Sequence, residues 1–420
     1  MPNTIVTNKL TDLVALRFLV ASGFVTVGAK EHFKDQMIGK RNGQEYTFVI
    51  RDAVDVGEGL ALDNDNEKQS IVEREVKMSI RDFHAAVKTS AIEAVTDLNW
   101  DKEVAEPNGA KIANHVVRKA VTEAFPKAAV VIAGSGFQPL AEAAAHLNSI
   151  SGDKMYGFVD PKAQAILTAN GQQFNPVGSP DSFYKQGLLG EFHSVEYRGQ
   201  RFMPVVSISE QLKPTTVTSI AMANYTEGGQ TVQHLSMTIG LTAGTAAFTI
   251  KAGTPFFVEG AMAADLIGDA TAEQFAFICS EDASISSGAT SATFKIEGVA
   301  KSADEFATLL AKGGTRVIVK EDNTSFANAA AFGSLAVTAP EAGKYACGQI
   351  RLDGSYEFCT LDKLDASNAE TKLGSVEGVK VHENRVIDLD NMTNKTRWDI
   401  AAMFGVIENR GTANVMLKIA

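Results

Sequence analysis

Gly134-Ser135-Gly136 stands between an apolar run, Ala129 to Ala133, and a helix-forming run, Leu140 to Leu147. Glycines at a strand-to-helix junction let backbone N–H groups approach a pyrophosphate at the helix N-terminus. This is the first stretch whose residue types could do chemistry. The dinucleotide fingerprint G-x-G-x-x-G needs a third glycine where Pro139 stands, and no Lys-Ser or Lys-Thr pair follows the loop. The junction therefore reads as a tight turn, with Gly where φ goes positive and Pro139 in the first helical turn. A nucleotide-binding enzyme using the Gly134–Gly136 loop is kept as a remote alternative.

Other candidates fail on spacing. "DNDNEK" opens like a calcium loop, with Asp63, Asp65 and Glu67 at alternate positions, but Lys68 stands where Gly is required and Arg74 where the bidentate Glu should be. His84, His115 and His146 each stand alone, without the i+4 partner or carboxylate of H-E-x-x-H, and read as structural or surface histidines. The serines show no G-x-S-x-G elbow. Cys279, Cys347 and Cys359 lack metal-ligand spacing. Cys347 and Cys359 could pair in space, but three reduced, partly buried thiols of a cytosolic protein is the preferred reading. The expectation is a chain that is not an enzyme, with no catalytic residues, cofactor or metal.

Composition narrows the classes further. The chain has 420 residues, 45% hydrophobic and 21% charged, which suits two or three domains with a sizeable core. A net charge of −11 argues against a sequence-reading nucleic-acid binder. No apolar run reaches the roughly 20 residues of a membrane helix, since Asp12 and Arg17 break the best candidate, Leu10 to Val27. "MPNTIVTNKL" lacks the layout of a signal peptide, so export by that route is not expected.

The elements that would position any site follow from periodicity. "LTDLVALRFLVASGFV" carries an irregular helical face and could dock on a core or pack on a neighbouring subunit. Tyr46, Phe48 and Ile50 alternate with Thr47, Val49 and Arg51. Val72, Val76, Met78 and Ile80 share a face opposite Glu73, Glu75 and Lys77. Two strands around a long polar tip make an extended β-hairpin, which is marginal alone and whose edges invite pairing with another chain. "IRDFHAAVKTSAIEAVTDL" and "GAKIANHVVRKAVTEAF" both fit helical spacing, the second with Ile112, Val116 and Ala120 stacked at i, i+4, i+8 and Pro126 ending it. "KMYGFVDP" reads as a strand leading into the helix "KAQAILTAN". From Thr215 the chain turns Thr-, Ala- and Gly-rich with short alternating runs, an all-β module ending near Phe332 to Pro340. "TRWDIAAMFGVIENRGTANVMLKIA" reads as helix or strand, a turn at Arg410-Gly411 and a terminal strand.

This order resembles the major capsid proteins of tailed bacteriophages with the HK97 fold, particularly the P22-like branch with an inserted β-barrel domain. "FVIRDAVDVGEGL" to "EREVKMSIRDF" looks like the E-loop, and "GAKIANHVVRKAVTEAF", with Ile112-Ala113-Asn114, like the spine helix. "YGFVDPKAQAILTAN" is similar to the family's strand ending in F-x-[DNS]-P. Gly187 and Gly190 match the Gly-x-x-Gly segment before the insertion, Ala252-Gly253-Thr254 stands in for its kGD turn without the Asp, and "WDIAAMFGVIENRGTANVMLKI" resembles the closing segment. The resemblance implies an α+β fold with an N-terminal arm at 1–40, an E-loop β-hairpin at 41–80, and a P-domain/A-domain body at 81–214 with a spine helix at about 109–125. It places the inserted β-barrel-like domain at 215–340 and the return to the body at 341–420.

The implied function is a coat protein that self-assembles into hexamers and pentamers of an icosahedral head around dsDNA, held without sequence-specific contact. Scaffolding protein and portal are implied partners, and a decoration protein is a further candidate. The implied location is the virion, with assembly in the host cytoplasm and no membrane. In this reading the hairpin's apolar face, Tyr46, Phe48, Ile50, Val72, Val76 and Met78, lies on a neighbouring copy, and Ile112, Val116 and Ala120 pack the spine helix. A β-rich tail or adhesin component is the alternative.

Overall fold

A computed structural model describes residues 4–31, 33, 45–51, 73–90, 101–171, 191–242, 246–311, 316–361, 370–388 and 393–419. In chain order the elements begin with α1 (Thr4–Ala21), α2 (Gly23–Thr26), β1 (Ala29–Lys30), β2 (Glu45–Arg51), β3 (Glu73–Ser79), β4 (Arg81–Ser90) and α3 (Glu106–Ala124). There follow β5 (Val130–Gly134), α4 (Gln138–Ile150), β6 (Met155–Val159), α5 (Pro161–Gly171), β7 (Glu191–Phe192), β8 (Val195–Gly199) and β9 (Val205–Ile208). The next stretch holds β10 (Pro214–Glu227), β11 (Gln230–Leu241), β12 (Phe248–Ile250), β13 (Pro255–Ala264), β14 (Ala270–Ile278), β15 (Ala283–Ile285), β16 (Ser291–Lys295), α6 (Ala303–Leu310), β17 (Ile318–Lys320) and β18 (Val337–Thr338). The chain closes with β19 (Gly343–Leu352), β20 (Tyr356–Leu361), β21 (Glu370–Val376), β22 (Val379–Asp388), β23 (Thr393–Val406) and β24 (Thr412–Ile419). The fold is α+β, in two compact units: Met1–Phe48, Val76–Val121 and Tyr356–Ile407 in the first, Val49–Glu75, Thr122–Ser355 and Glu408–Ala420 in the second.

The first unit is built on β23. Residues Thr393 to Asp399 pair with β22 and with β4 at once, so those strands flank it, and β20 continues the β22 side along Ala401 to Val406. The order is β1-β20-β23-β22-β21, with β4 on the other edge of β23. Helix α1 buries Val14, Ala15 and Phe18 completely. Its Phe18 ring stacks on Phe358 at 6.2 Å. Burying side chains of the size of Val14 and Phe18 contributes roughly 1.5–3 kcal/mol each. Gly374 lets α1 approach β21, because a Cβ there would lie 2.7 Å from the Thr11 carbonyl carbon. The N-terminal segment thus docks within its own unit.

One sequence expectation is corrected here. Arg81 to Ser90 is strand β4 and not helix, in register from Arg81↔Ala402 to Ser90↔Thr393. Its residues fit both periods: Ile80, Phe83 and Val87 recur at helical spacing, yet Phe83 is buried between exposed Asp82 and His84. The unpaired edge of β23 decides, since it satisfies the whole run of backbone groups that an isolated helix would satisfy locally.

The second unit centres on the sheet β5-β24-β19-β6-β8-β7, with β9 on β19. Strand β24 is buried from Thr412 to Leu417, the near-continuous apolar run of a strand covered on both faces. Helix α4 lays Leu140, Ala143, Ala144 and Leu147 into this core. Asp160 starts α5, its carboxylate accepting from Lys162 N at 2.7 Å, with Pro161 as the first helical residue.

The inserted module lies between β9 and β19. Gly343 pairs with Ile208, so the chain leaves and re-enters the body at adjacent positions. Between them lie the sheets β10-β11-β16, β12-β15 and β14-β13-β17, with β18 on β13. The all-β expectation needs one amendment. Helix α6 is capped by Ser302, whose hydroxyl accepts from Glu305 N at 3.1 Å, while Glu305 reaches back to Lys301 N at 2.8 Å. That is a capping-box spacing, S-x-x-E, legible in "SADE".

Candidate assembly interface

The glycine loop resolves as a turn. Gly136 takes φ 68°, and a Cβ on Gly134 would lie 2.9 Å from Pro139 Cγ. Gly136 is therefore favoured by its backbone conformation and Gly134 by the close approach of Pro139. Ala252-Gly253-Thr254 is likewise a turn between β12 and β13, with Gly253 at φ 90°. Asp282 accepts from Ala252 N at 2.8 Å and from Lys251 at 2.6 Å, and these bonds hold its carboxyl below the usual range. Asp63, Asp65, Glu67, Lys68, Gly187 and Gly190 lie outside the described residues.

The hairpin exists as a two-stranded sheet of β2 and β3. Its alternation follows the sequence pattern: Val76, Met78 and Phe48 are buried, while Glu45, Thr47, Glu75 and Lys77 are exposed. Two of them have neighbours within the chain. Phe48 stacks on Phe33 with centroids 4.5 Å apart. Met78 Sδ lies where a Cβ on Gly405 would be 3.2 Å away. Phe48 and Met78 thus pack against residues of the chain's own first unit. Tyr46 is half-buried and Val49, on the opposite face, is 44% exposed. Val72 and the side chain of Ile50 lie outside the described residues.

Helix α3 packs as its spacing predicted. Ile112, Val116 and Ala120 are buried, joined by Ala113, Val117 and Val121. Gly109 lets α1 cross it, since a Cβ there would sit 2.8 Å from Val14 O. Arg17 closes the crossing with two bonds to Glu106, at 2.6 and 2.9 Å. At the far end Asn414 donates to Phe125 O at 2.7 Å and Gln349 to Ala124 O at 3.2 Å, while Gln349 also donates to Asn414 Oδ1 at 3.0 Å. Two strand amides therefore satisfy carbonyls that a helix terminus leaves open.

Periodicity could not reveal the buried polar clusters. Glu383 is 1% exposed and accepts from Thr11 at 3.0 Å, Trp398 at 3.1 Å and Arg385 at 2.9 Å. In the second unit Arg410 is 1% exposed. It forms a two-pronged bond with Glu408, 2.8 Å on each prong, and donates to Asp265 O at 3.1 Å. Asp265 Oδ1 in turn gathers Ile267, Gly268 and Asp269 N–H groups at 2.8–2.9 Å, and Arg316 binds Gly268 O. The closing turn is thereby tied to the inserted module. Lys295 sits between Glu227 and Glu281; burial works against its charge, but those hydrogen bonds outweigh it and raise its pKa. The only sequence signal was the Asp-x-x-Gly turn in "DLIGD".

The histidines divide as expected between surface and structure. His84 is exposed on β4, and His115 is exposed on α3 with its ring edge on Phe83 at 5.7 Å. His146 is buried in α4, and burial pushes it down to about 4. All three cysteines are free and buried. Among the described residues no group of His, Cys, Asp and Glu is placed to hold a metal, and no helix is long and apolar enough to cross a membrane.

No family model matches the chain, and no curated protein matches it. Solved structures do. A structure of Mycobacterium phage Che8 is similar at 7% identity and TM-score 0.42, over 93% of this chain and 89% of that one. The capsid of cyanophage P-SCSP1u is similar at 9% identity and TM-score 0.41, over 90% and 85%. The acid-stable capsid of Helicobacter pylori bacteriophage KHP30 is similar at 9% identity and TM-score 0.41, over 90% and 85%. The second and third of these neighbours are described as phage capsids.

Proposed function

We propose that this chain is a shell-forming structural protein, the major capsid protein of a tailed-phage head with an HK97-like subunit. One observation carries the reading: the order of elements in space. A two-stranded ribbon precedes a long helix, the helix leads into a mixed body sheet, and a β module interrupts that sheet between two of its paired strands. A ribbon of this kind needs a surface to rest on beyond its root. Many copies in closed symmetry supply one.

In this reading the hairpin of β2 and β3 lies on a neighbouring copy, and hexamers and pentamers close the shell. Obligate contacts of this type bury roughly 2,000–5,000 Å². Scaffolding protein, portal and decoration protein are the partners such a shell would use, with assembly in the host cytoplasm. The subunit performs no catalysis. The test is negative-stain microscopy of the expressed protein with and without its scaffold. Closed shells or hexameric lattices are expected. A uniform monomer, unchanged over a hundredfold rise in concentration, would overturn the reading, and rods or fibres would favour a tail or adhesin component.

A further inference from the structure

The inserted module carries a single histidine. Between Thr215 and Pro340 only His234 is of that type, and it stands on β11 where the β10–β11 ribbon outruns its support. Strand β16 pairs with β11 from Ser236 to Gly240, and the Ile296 N–H donates to Leu235 O at 2.9 Å. Further out, Ala223 to Glu227 pair with Gln230 to His234. Among the described residues no third strand joins them there. A two-stranded ribbon is marginal in water by itself, so side-chain ties decide how firmly this outer half is held.

Those ties are ionic. His234 Nδ1 meets Glu297 Oε1, on the segment after β16. Its Nε2 lies 2.8 Å from Glu227 Oε1, in ion-pair contact without the alignment of a hydrogen bond. The same Glu227 oxygen accepts from Lys295 Nζ, which also binds Glu281 at 2.9 Å. The Tyr225 ring borders both groups, its centroid 5.5 Å from that of His234 and 4.7 Å from Lys295 Nζ. Asp282, next to Glu281, is turned to Lys251 instead. With the ring protonated, two cations face Glu227, Glu281 and Glu297. With it neutral, Lys295 alone faces the three carboxylates. Only the imidazolium has a donor on each nitrogen, and the neutral ring turns a lone pair toward one of its two carboxylates. No more than 13% of the His234 side chain is exposed, so water screens that clash poorly. Glu227 stays an anion at mildly acid pH, since the bond from Lys295 holds its carboxyl below the usual range.

We propose that His234 is a proton-operated latch: as the imidazolium it fastens the outer half of the β10–β11 ribbon to β16 and the segment after it, and on losing its proton it lets that half loosen. The contribution is present at acid pH and is lost as pH rises through the histidine range. The latch belongs to the subunit itself and works whether or not copies assemble.

The test is hydrogen exchange of the full-length protein, read by mass spectrometry on a peptide covering 223–234 and corrected for the intrinsic pH dependence of amide exchange. Between about pH 5.5 and about pH 8 the ribbon's protection should fall roughly tenfold, the scale of one charge-assisted bond. Peptides of β13 and β24 should keep theirs, and they also show whether a variant is folded. His234→Gln should give the weaker protection at both pH values. His234→Arg, a permanent cation, should give the stronger protection at both. Glu297→Gln removes one facing charge and should shrink the pH response. Wild-type protection that does not change with pH would overturn the proposal, as would a response that survives in folded His234→Gln. An equal fall in β13 and β24 would overturn it too, because the effect would then be global. Should His234→Gln not fold, an undiminished pH response in His234→Arg or Glu297→Gln overturns it equally.

Discussion

Replacing Arg410 by Met probes the tie between the closing turn and the inserted module. Met keeps the length and loses every donor. Lost are the two 2.8 Å bonds to Glu408 and the 3.1 Å bond to Asp265 O. The contacts to Leu266 O and Arg316 O, at 3.4 and 3.5 Å, are too long to weigh much. Charge-assisted bonds contribute about 1.5–3 kcal/mol each, but part of that is spent desolvating the arginine. Glu408 is left behind, with 17% of its side chain exposed and its bond to Arg410 lost. Breaking a buried pair from one side typically costs about 3–5 kcal/mol. With a urea slope near 3 kcal/mol per molar, the second unit's midpoint should fall by about 1 M or more. Amide exchange of Ile267, Gly268 and Asp269 should rise in parallel, since Asp265 and Arg410 share that loop. Adding Glu408→Gln should return part of the loss, because the stranded charge disappears. A midpoint shift below about 0.2 M, or a double variant as weak as the sum of the singles, would show that the arginine is a bystander.

Three further outcomes are expected. Asn414→Ala strands Phe125 O and one Gln349 donor, costing about 2–4 kcal/mol; a urea midpoint unchanged from wild type would contradict this. His146 is held down to about 4 from 6.5 by burial, so the unfolded chain binds the proton first. Its contribution is complete above about pH 6.5 and is lost as pH falls toward 4, up to about 3 kcal/mol. His146→Leu should flatten the stability profile across that window, and an unchanged profile would refute the assignment. Burial pushes the Cys279 thiol up to about 12 and Cys347 higher still, and Cys359 is also buried. A thiol reagent at pH 8 should modify none of them in the native protein and all of them in urea; prompt labelling of the folded chain would contradict the burial.

What could be read without a structure was local. The Gly134–Gly136 turn, the alternation of β2 and β3, the buried face of α3 and the final strand each follow from backbone permissiveness or periodicity within a dozen residues. Composition likewise marks the strand-rich stretch from Thr215, although it does not show α6, whose capping box in "SADE" is the local signal. What only the tertiary structure decided was every choice between two equally good local answers. Arg81 to Ser90 suits helix and strand alike, and β23, some 300 residues onward, makes it a strand. Alternation puts Phe48, Val76 and Met78 on one apolar face, but the face alone does not name what it touches; within the chain Phe48 meets Phe33 and Met78 lies beside Gly405. The clusters on Glu383 and Arg410 join residues up to 372 positions apart. Periodicity reports which side of an element avoids water. Which distant surface covers that side, and which buried charge meets which, depends on long-range pairings that leave no trace in neighbouring residues.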